Sequence, residues 1–178
     1  MRSKMLSAHL LLAAILVLTI DAASVDRSIP YEKQEDIPDV NDPKIRPVLT
    51  CSACRAFAKE FYSAVQRVHT LRHGAPKSFE LLDAVDRICK TIGEKWGLLL
   101  KNNKPTHEFS DNEAITRYKG SWIAHFLEDR CGQIMDTYDE ELFRAAAAAP
   151  SLKDFKRKLC KEWEKNCKSR SEAEYEDL

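Results

Sequence analysis

The chain has 178 residues, room for one ordinary domain, and its 28 basic residues cancel its 28 acidic ones. That balance excludes a whole-chain field drawing it to nucleic acid or to an anionic membrane. Five glycines and seven prolines, beside frequent Ala, Leu, Lys and Glu, favour helices over a turn-rich β-sandwich, and six cysteines are the outstanding feature.

At the start, Arg2 and Lys4 precede the apolar run Leu10 to Ile20, and the small residues Ala22, Ala23 and Ser24 follow it. This is the three-part pattern of a secretory signal peptide over residues 1–23. A run of that length rises only about 16 Å as a helix, against about 30 Å of hydrocarbon, so a cleaved signal is expected rather than an uncleaved anchor. Every later apolar stretch is broken by charge, and no transmembrane segment is expected. The mature chain is expected to be lumenal or extracellular, a compartment in which an even cysteine count reads first as a disulfide framework.

Residues 24–49 carry four prolines and dense charge, and are expected to form a disordered or extended leader. Thr50 can then cap a first helix in which Cys51, Cys54, Phe57, Ala58, Phe61, Val65 and Val68 recur three or four apart, ending near Arg72 before Gly74 and Pro76. Ser78 opens a second helix with Phe79, Leu82, Val85, Cys89, Ile92, Trp96 and Leu99 inward. The stretch KNNKPTHEF, Lys101 to Phe109, reads as a polar loop. Ser110 and Glu113 form a capping-box pattern for a third helix carrying Ile115, Tyr118, Trp122, Phe126, Cys131, Ile134 and Tyr138. Thr137 and Glu140 repeat the pattern before a short fourth helix closed by Pro150. Ser151 and Asp154 open a fifth, with Phe155, Leu159, Trp163 and Cys167 on one stripe and Cys160 beside it. No strand is predicted.

The pair Cys51 and Cys54 could in principle serve a redox centre, a zinc site or a clamp. Zinc wants four ligands, and no second Cys-x-x-Cys follows. A thioredoxin-like centre wants a βαβ context, and no period-two strand precedes Cys51. Two cysteines opening the first helix and two on the last suit terminal helices lying side by side. Fifteen pairings are open to six cysteines, and this spacing favours a nested one: Cys51 to Cys167, Cys54 to Cys160, and Cys89 to Cys131.

An all-α domain with this cysteine order, over residues 50–168, resembles the saposin-like fold, a disulfide-stapled bundle of about five helices whose bridges nest in the same way. Within it, CSACRAFAKEF, ELLDAVDRICKTI and the closing LCKEWEKNC before an acidic tail at 169–178 resemble the canopy family of endoplasmic-reticulum proteins. The resemblance implies a non-enzymatic folding helper or adaptor that binds a lumenal chaperone or maturing secreted and membrane receptors. A lipid-binding protein of the saposin type, secreted or lysosomal, is the second reading, and a thiol oxidoreductase using Cys51 and Cys54 the third.

Other constellations are sparse. His69 and His73 are four apart, yet no third metal ligand is evident; His107 and His125 have no sequence-evident partner. No Ser, His and Asp order or Gly-rich phosphate loop stands out, so neither an enzyme nor a cofactor is expected. The basic cluster Lys153, Lys156, Arg157, Lys158 and Lys161 is either a solvated face or a docking strip for an acidic partner or lipid headgroup, with Lys153, Lys156, Arg157 and Lys161 as the candidate contacts. The terminal Tyr175, Glu176, Asp177 and Leu178 form a variant of the Lys-Asp-Glu-Leu retrieval signal, with the acids in swapped order. Retention in the endoplasmic-reticulum lumen is therefore expected, with secretion the alternative.

Overall fold

A computed structural model describes residues 37–71 and 76–167. The signal peptide, the first half of the leader, His73, and the tail with Tyr175, Glu176, Asp177 and Leu178 lie outside the described residues. Among the described residues five α-helices and a small sheet follow one another: α1 Arg46–Leu71, α2 Ser78–Val85, α3 Ile88–Lys95, β1 Gly97–Lys101, β2 Lys104–Ser110, β3 Arg117–Tyr118, α4 Ser121–Ala148 and α5 Leu152–Lys156. The chain then continues from α5 as a π-helix, Arg157–Trp163. The class is largely helical, with three disulfides.

Helix α1 is the axis of the fold. Its repeat places Cys54, Phe57, Phe61 and Val65 on one wholly buried stripe. It begins five residues earlier than the sequence suggests, so Thr50 lies inside it instead of capping it. The end of the expected leader is folded, too: Ile37, Val40 and Ile45 pack against the core and Leu49 is fully buried. Asp39 and Asp42 accept from the amides of Asn41 and Lys44, turning the chain into the helix. Pro47 sits in the first turn, where no intrahelical amide bond is needed.

The second expected helix is two helices. Helix α2 opens with the Glu80 carboxylate accepting from the Lys77 amide, breaks around Asp86 and Arg87, and resumes as α3. On α2 it is Val85 that is buried and Leu81 that is half-buried, while Phe79 and Leu82, expected inward, are 56% and 54% exposed. The short α2 touches the body on one side only, and that side is offset from the predicted stripe.

The expectation of no strand is overturned by a three-stranded antiparallel sheet, order β2-β1-β3. Trp96 takes an extended conformation that ends α3, so Leu99 lies in a strand rather than on a helical stripe. Asn102 and Asn103 both have positive φ, 54° and 62°, and link the paired Lys101 and Lys104 as a two-residue hairpin turn. Asparagine tolerates that left-handed region better than most residues. Pro105 is accommodated because β2 is an edge strand. Gly97 is required where β1 meets β3, since a Cβ there would lie 2.8 Å from the Tyr118 carbonyl oxygen.

Ser110 and Glu113 do not start a helix. The Ser110 Oγ accepts from Asn112 and the Asn112 Oδ1 accepts from Ala114, making turns that carry the chain into β3, where Tyr118 pairs with Leu98. Helix α4 starts at Ser121 and buries Ile123, Leu127, Cys131, Ile134 and Leu142, while Trp122 and Phe126 are half-buried. The expected third and fourth helices merge in α4 around a kink at Asp139, whose φ of 34° and ψ of −116° fit no helix. A non-glycine residue held there carries about 1–3 kcal/mol of strain. Asp139→Gly is therefore expected to raise stability by about 1 kcal/mol, read as a shifted denaturant midpoint with an unchanged slope.

Three disulfides staple this assembly in nested order: Cys51–Cys167, Cys54–Cys160 and Cys89–Cys131. The first two tie the start of α1 to the last segment, and the third ties α3 to α4. Cys51 and Cys54 are thus separate anchors rather than a pair.

Candidate partner-binding surface

The last segment starts with a cap: Ser151 Oγ accepts from the Asp154 amide at 3.2 Å. Phe155 is then driven into the core against Phe61 and Tyr62, with ring centroids 6.0 and 5.8 Å away. From Arg157 the winding is π-helical, closed by Glu164 donating to the Leu159 carbonyl. A turn wider than 3.6 residues moves side chains off the faces that α-helical spacing would give them.

The residues of the predicted basic strip differ in exposure and in partners. Lys153 and Lys161 are exposed. Arg157 is engaged with Asp154 at 3.0 Å and reaches Glu162 at 3.8 Å, and Lys158 lies over the Trp163 ring. Lys156 alone turns inward to α1, where it feels the charges of Lys59, Arg55 and Asp111. Lys156 is half-buried, unlike the other three candidate contacts, which are exposed.

Lys156 instead joins a charge cluster that the sequence did not reveal. Lys59 Nζ donates to both oxygens of Asp111 at 2.7 Å and sits 5.4 Å from the centre of the Trp96 ring. Lys95 Nζ lies 3.2 Å from Asp111 and 2.7 Å from Glu60, whose carboxylate also accepts from Trp96 Nε1. Burial would lift the Asp111 carboxyl, but the lysines outweigh it and hold it below the usual carboxylate value. Burial would likewise lower the Lys95 amine, and Glu60 and Asp111 more than reverse that. For Lys156 burial, then Lys59 and Arg55, push its amine below the usual lysine value, and the opposing pull of Asp111 does not reverse this. Among the described residues Lys156 has no hydrogen-bond or ion-pair acceptor.

Lys59 and Lys95 remain 39% and 40% exposed, so solvent screens part of what Asp111 contributes. Asp111→Asn is expected to cost about 1–2 kcal/mol at neutral pH. The sign of the pH dependence follows from the lowered folded value. The contribution is fully present above the ordinary 3.8 and is lost as pH falls from there through the folded value. Urea unfolding of both proteins at neutral and acid pH checks this: the gap between them should close in acid.

Arg130 and Glu164 pair at 2.6 Å and Tyr138 stacks on Trp163, fastening the last segment to α4. Burial, then the neighbouring Glu164, raise the Tyr138 hydroxyl. His69 is half-buried with Nε2 unbonded, and His125 Nδ1 lies 2.6 Å from the Ser121 carbonyl. No three His, Cys, Asp or Glu side chains converge as metal ligands among the described residues. Nor, among them, is any helix long and apolar enough to cross a membrane.

A sequence signal for the cluster did exist. Arg55 and Lys59 are four apart on α1, off the buried stripe, but Asp111, which Lys59 holds, comes from a turn after β2. Comparison with known proteins gives no match: no family model, no curated protein and no solved structure is similar to this chain.

Proposed function

We propose that this chain is a non-enzymatic folding helper of the endoplasmic-reticulum lumen, an adaptor that binds a chaperone or maturing secreted and membrane receptors through its surface. The observation that carries this reading is the closed core. Phe57, Phe61 and Phe155 are essentially fully buried, and Phe61 has ring neighbours at 5.3, 5.2 and 6.0 Å. Rings packed at this density fill the space that a lipid-extracting saposin would have to open. The disulfide pattern supports a structural role for Cys51 and Cys54, since each is bonded to the last segment and no thiol is free. The compartment rests on the signal-like start, the variant retrieval signal and the resemblance to the canopy family.

Affinity capture from the lumen after mild cross-linking tests the function. Recovery of a lumenal chaperone or receptor precursors is the expected result, and stoichiometric phospholipid in the purified protein would replace this reading with the saposin-type one. Deleting Leu178 should send the protein to the medium. If the intact chain is already secreted efficiently, the retrieval assignment is wrong.

A further inference from the structure

Among the described residues four large apolar side chains are exposed, and three of them, Leu71, Phe79 and Leu82, lie in the short stretch from the end of α1 to the second turn of α2. Single apolar residues scattered over a surface are ordinary, whereas a concentration of this kind marks a contact. Helix α2 uses Leu81 and Val85 to hold the body, so Phe79 and Leu82, three apart, form a second apolar ridge turned to solvent. We propose that this ridge is where two copies of the chain pair, α2 against α2 and antiparallel, about a two-fold axis between Phe79 and Leu82. The pairing goes beyond the adaptor reading and does not depend on it.

The occupant follows from the charges on the ridge. Lys77 Nζ stands over the Phe79 ring, 5.8 Å from its centre, which puts an ammonium at the N-terminal end of the face. Asp83 lies four residues beyond Phe79 and Asp86 four beyond Leu82, and Asp86 keeps helical φ and ψ, so both carboxylates stand on the same face at its C-terminal end. All three charged residues are exposed, and among the described residues none has an ion-pair partner. A ligand of one sign is attracted at one end of this ridge and repelled at the other. A second copy laid antiparallel satisfies both ends at once. With Phe79 of each copy level with Leu82 of the other, Lys77 of each falls level with the gap between Asp83 and Asp86 of the other. The contact is isologous, the same residues serving on both sides. It is also far smaller than the roughly 800 Å² per partner of a standard stable interface, so the pair is weak and forms as concentration rises.

Sedimentation equilibrium of the full mature chain tests this, with the dimer expected to be half formed at about 0.1 mM. Phe79→Ala and Leu82→Ala should each weaken association by about tenfold, and because the Phe79 ring is exposed its loss leaves the fold in place, which separates lost pairing from lost folding. Val48→Ala, an exposed apolar change at the other end of α1, should alter association by less than about twofold. Charge reversal decides the arrangement. Lys77→Glu makes the ridge acidic at both ends, and Asp83→Lys with Asp86→Lys makes it basic at both ends. Each protein alone should associate at least about tenfold more weakly than wild type, and an equimolar mixture of the two should associate as well as wild type. A mixture no better than its separate components overturns the antiparallel pairing. A dimer that survives both Phe79→Ala and the charge reversals overturns it too, since the contact then lies elsewhere on the surface. A chain still monomeric at about 1 mM overturns the proposal outright. If that monomer takes up a labelled amphipathic Leu/Lys helix and Phe79→Ala releases it, the ridge is a dock for a partner's helix instead.

Discussion

Phe61→Ala is expected to lower the unfolding free energy by about 3–5 kcal/mol, which is a large share of the stability of a domain this size. Phe61 is fully buried at the crossing of α1 with α4 and the last segment, stacked between Phe57 and Phe155 and tilted against Phe143. Truncation removes the ring's transfer free energy and leaves a cavity that the three surrounding elements, held by disulfides, cannot collapse. Phe79→Ala is the matched control: that ring is 56% exposed on α2, so its loss should change stability by no more than about 0.5 kcal/mol. Guanidinium unfolding with the disulfides intact measures both. A cost below about 1 kcal/mol at Phe61 would mean that the interior adapts readily, as a lipid-covering protein requires, and would count against the closed-core reading.

Removing the two terminal disulfides together is expected to unfold the domain, while removing either alone is tolerated. The bridges span 116 and 106 residues, and closing a loop near that size restricts the unfolded chain by about 4.7 kcal/mol. They are nested, however. With one bridge in place the other closes only the short ring running from Cys51 to Cys54 and from Cys160 to Cys167, about ten residues. Its addition is worth about 2–3 kcal/mol. The Cys51→Ala/Cys167→Ala protein should therefore lose about 2–3 kcal/mol, and the fourfold variant about 7 kcal/mol, comparable to the whole stability of many domains. Non-reducing denaturation of the single-bridge and bridge-free variants separates these cases. Equal and additive losses would refute the nested-loop account, and unfolding of a single-bridge variant would show that strain or packing at that bridge dominates.

Where the sequence was read correctly, the information was local or repeated. The stripe from Cys54 to Val65 on α1 recurs over three turns, and no other backbone geometry puts those residues on one face. Ser151 followed by Asp154 needs only its own four residues to make the cap that was observed. The interruption between Tyr138 and Glu140 was marked too, although the chain crosses it as a kink in α4.

Misreadings arose where a short pattern served two structures. Leu98 to Leu100 suits a helix as well as a strand, and the competing cue, the turn at Asn102 and Asn103, was masked by the polar residues around it. Ser110 with Glu113 has the spacing of a capping box, but Asn112 offers a competing turn and takes the chain into β3. Phe79 and Leu82 repeat at helical spacing, yet which side of a two-turn helix is buried depends on the bodies it touches.

By itself the sequence determined the helical class, the long amphipathic α1 and the cysteine positions that bring the two ends of the domain together, because these depend on periodicity and on residue type. Only the tertiary structure decided that Lys156 leaves its basic neighbours to join Arg55 and Lys59, and that Asp111 serves Lys59 and Lys95 at once. Electrostatic partners are chosen by distance in space. Those distances are set by the Cys54–Cys160 bridge, the wedge of Phe155 and the π-helical turn after Lys156, none of which is a property of the charged residues themselves.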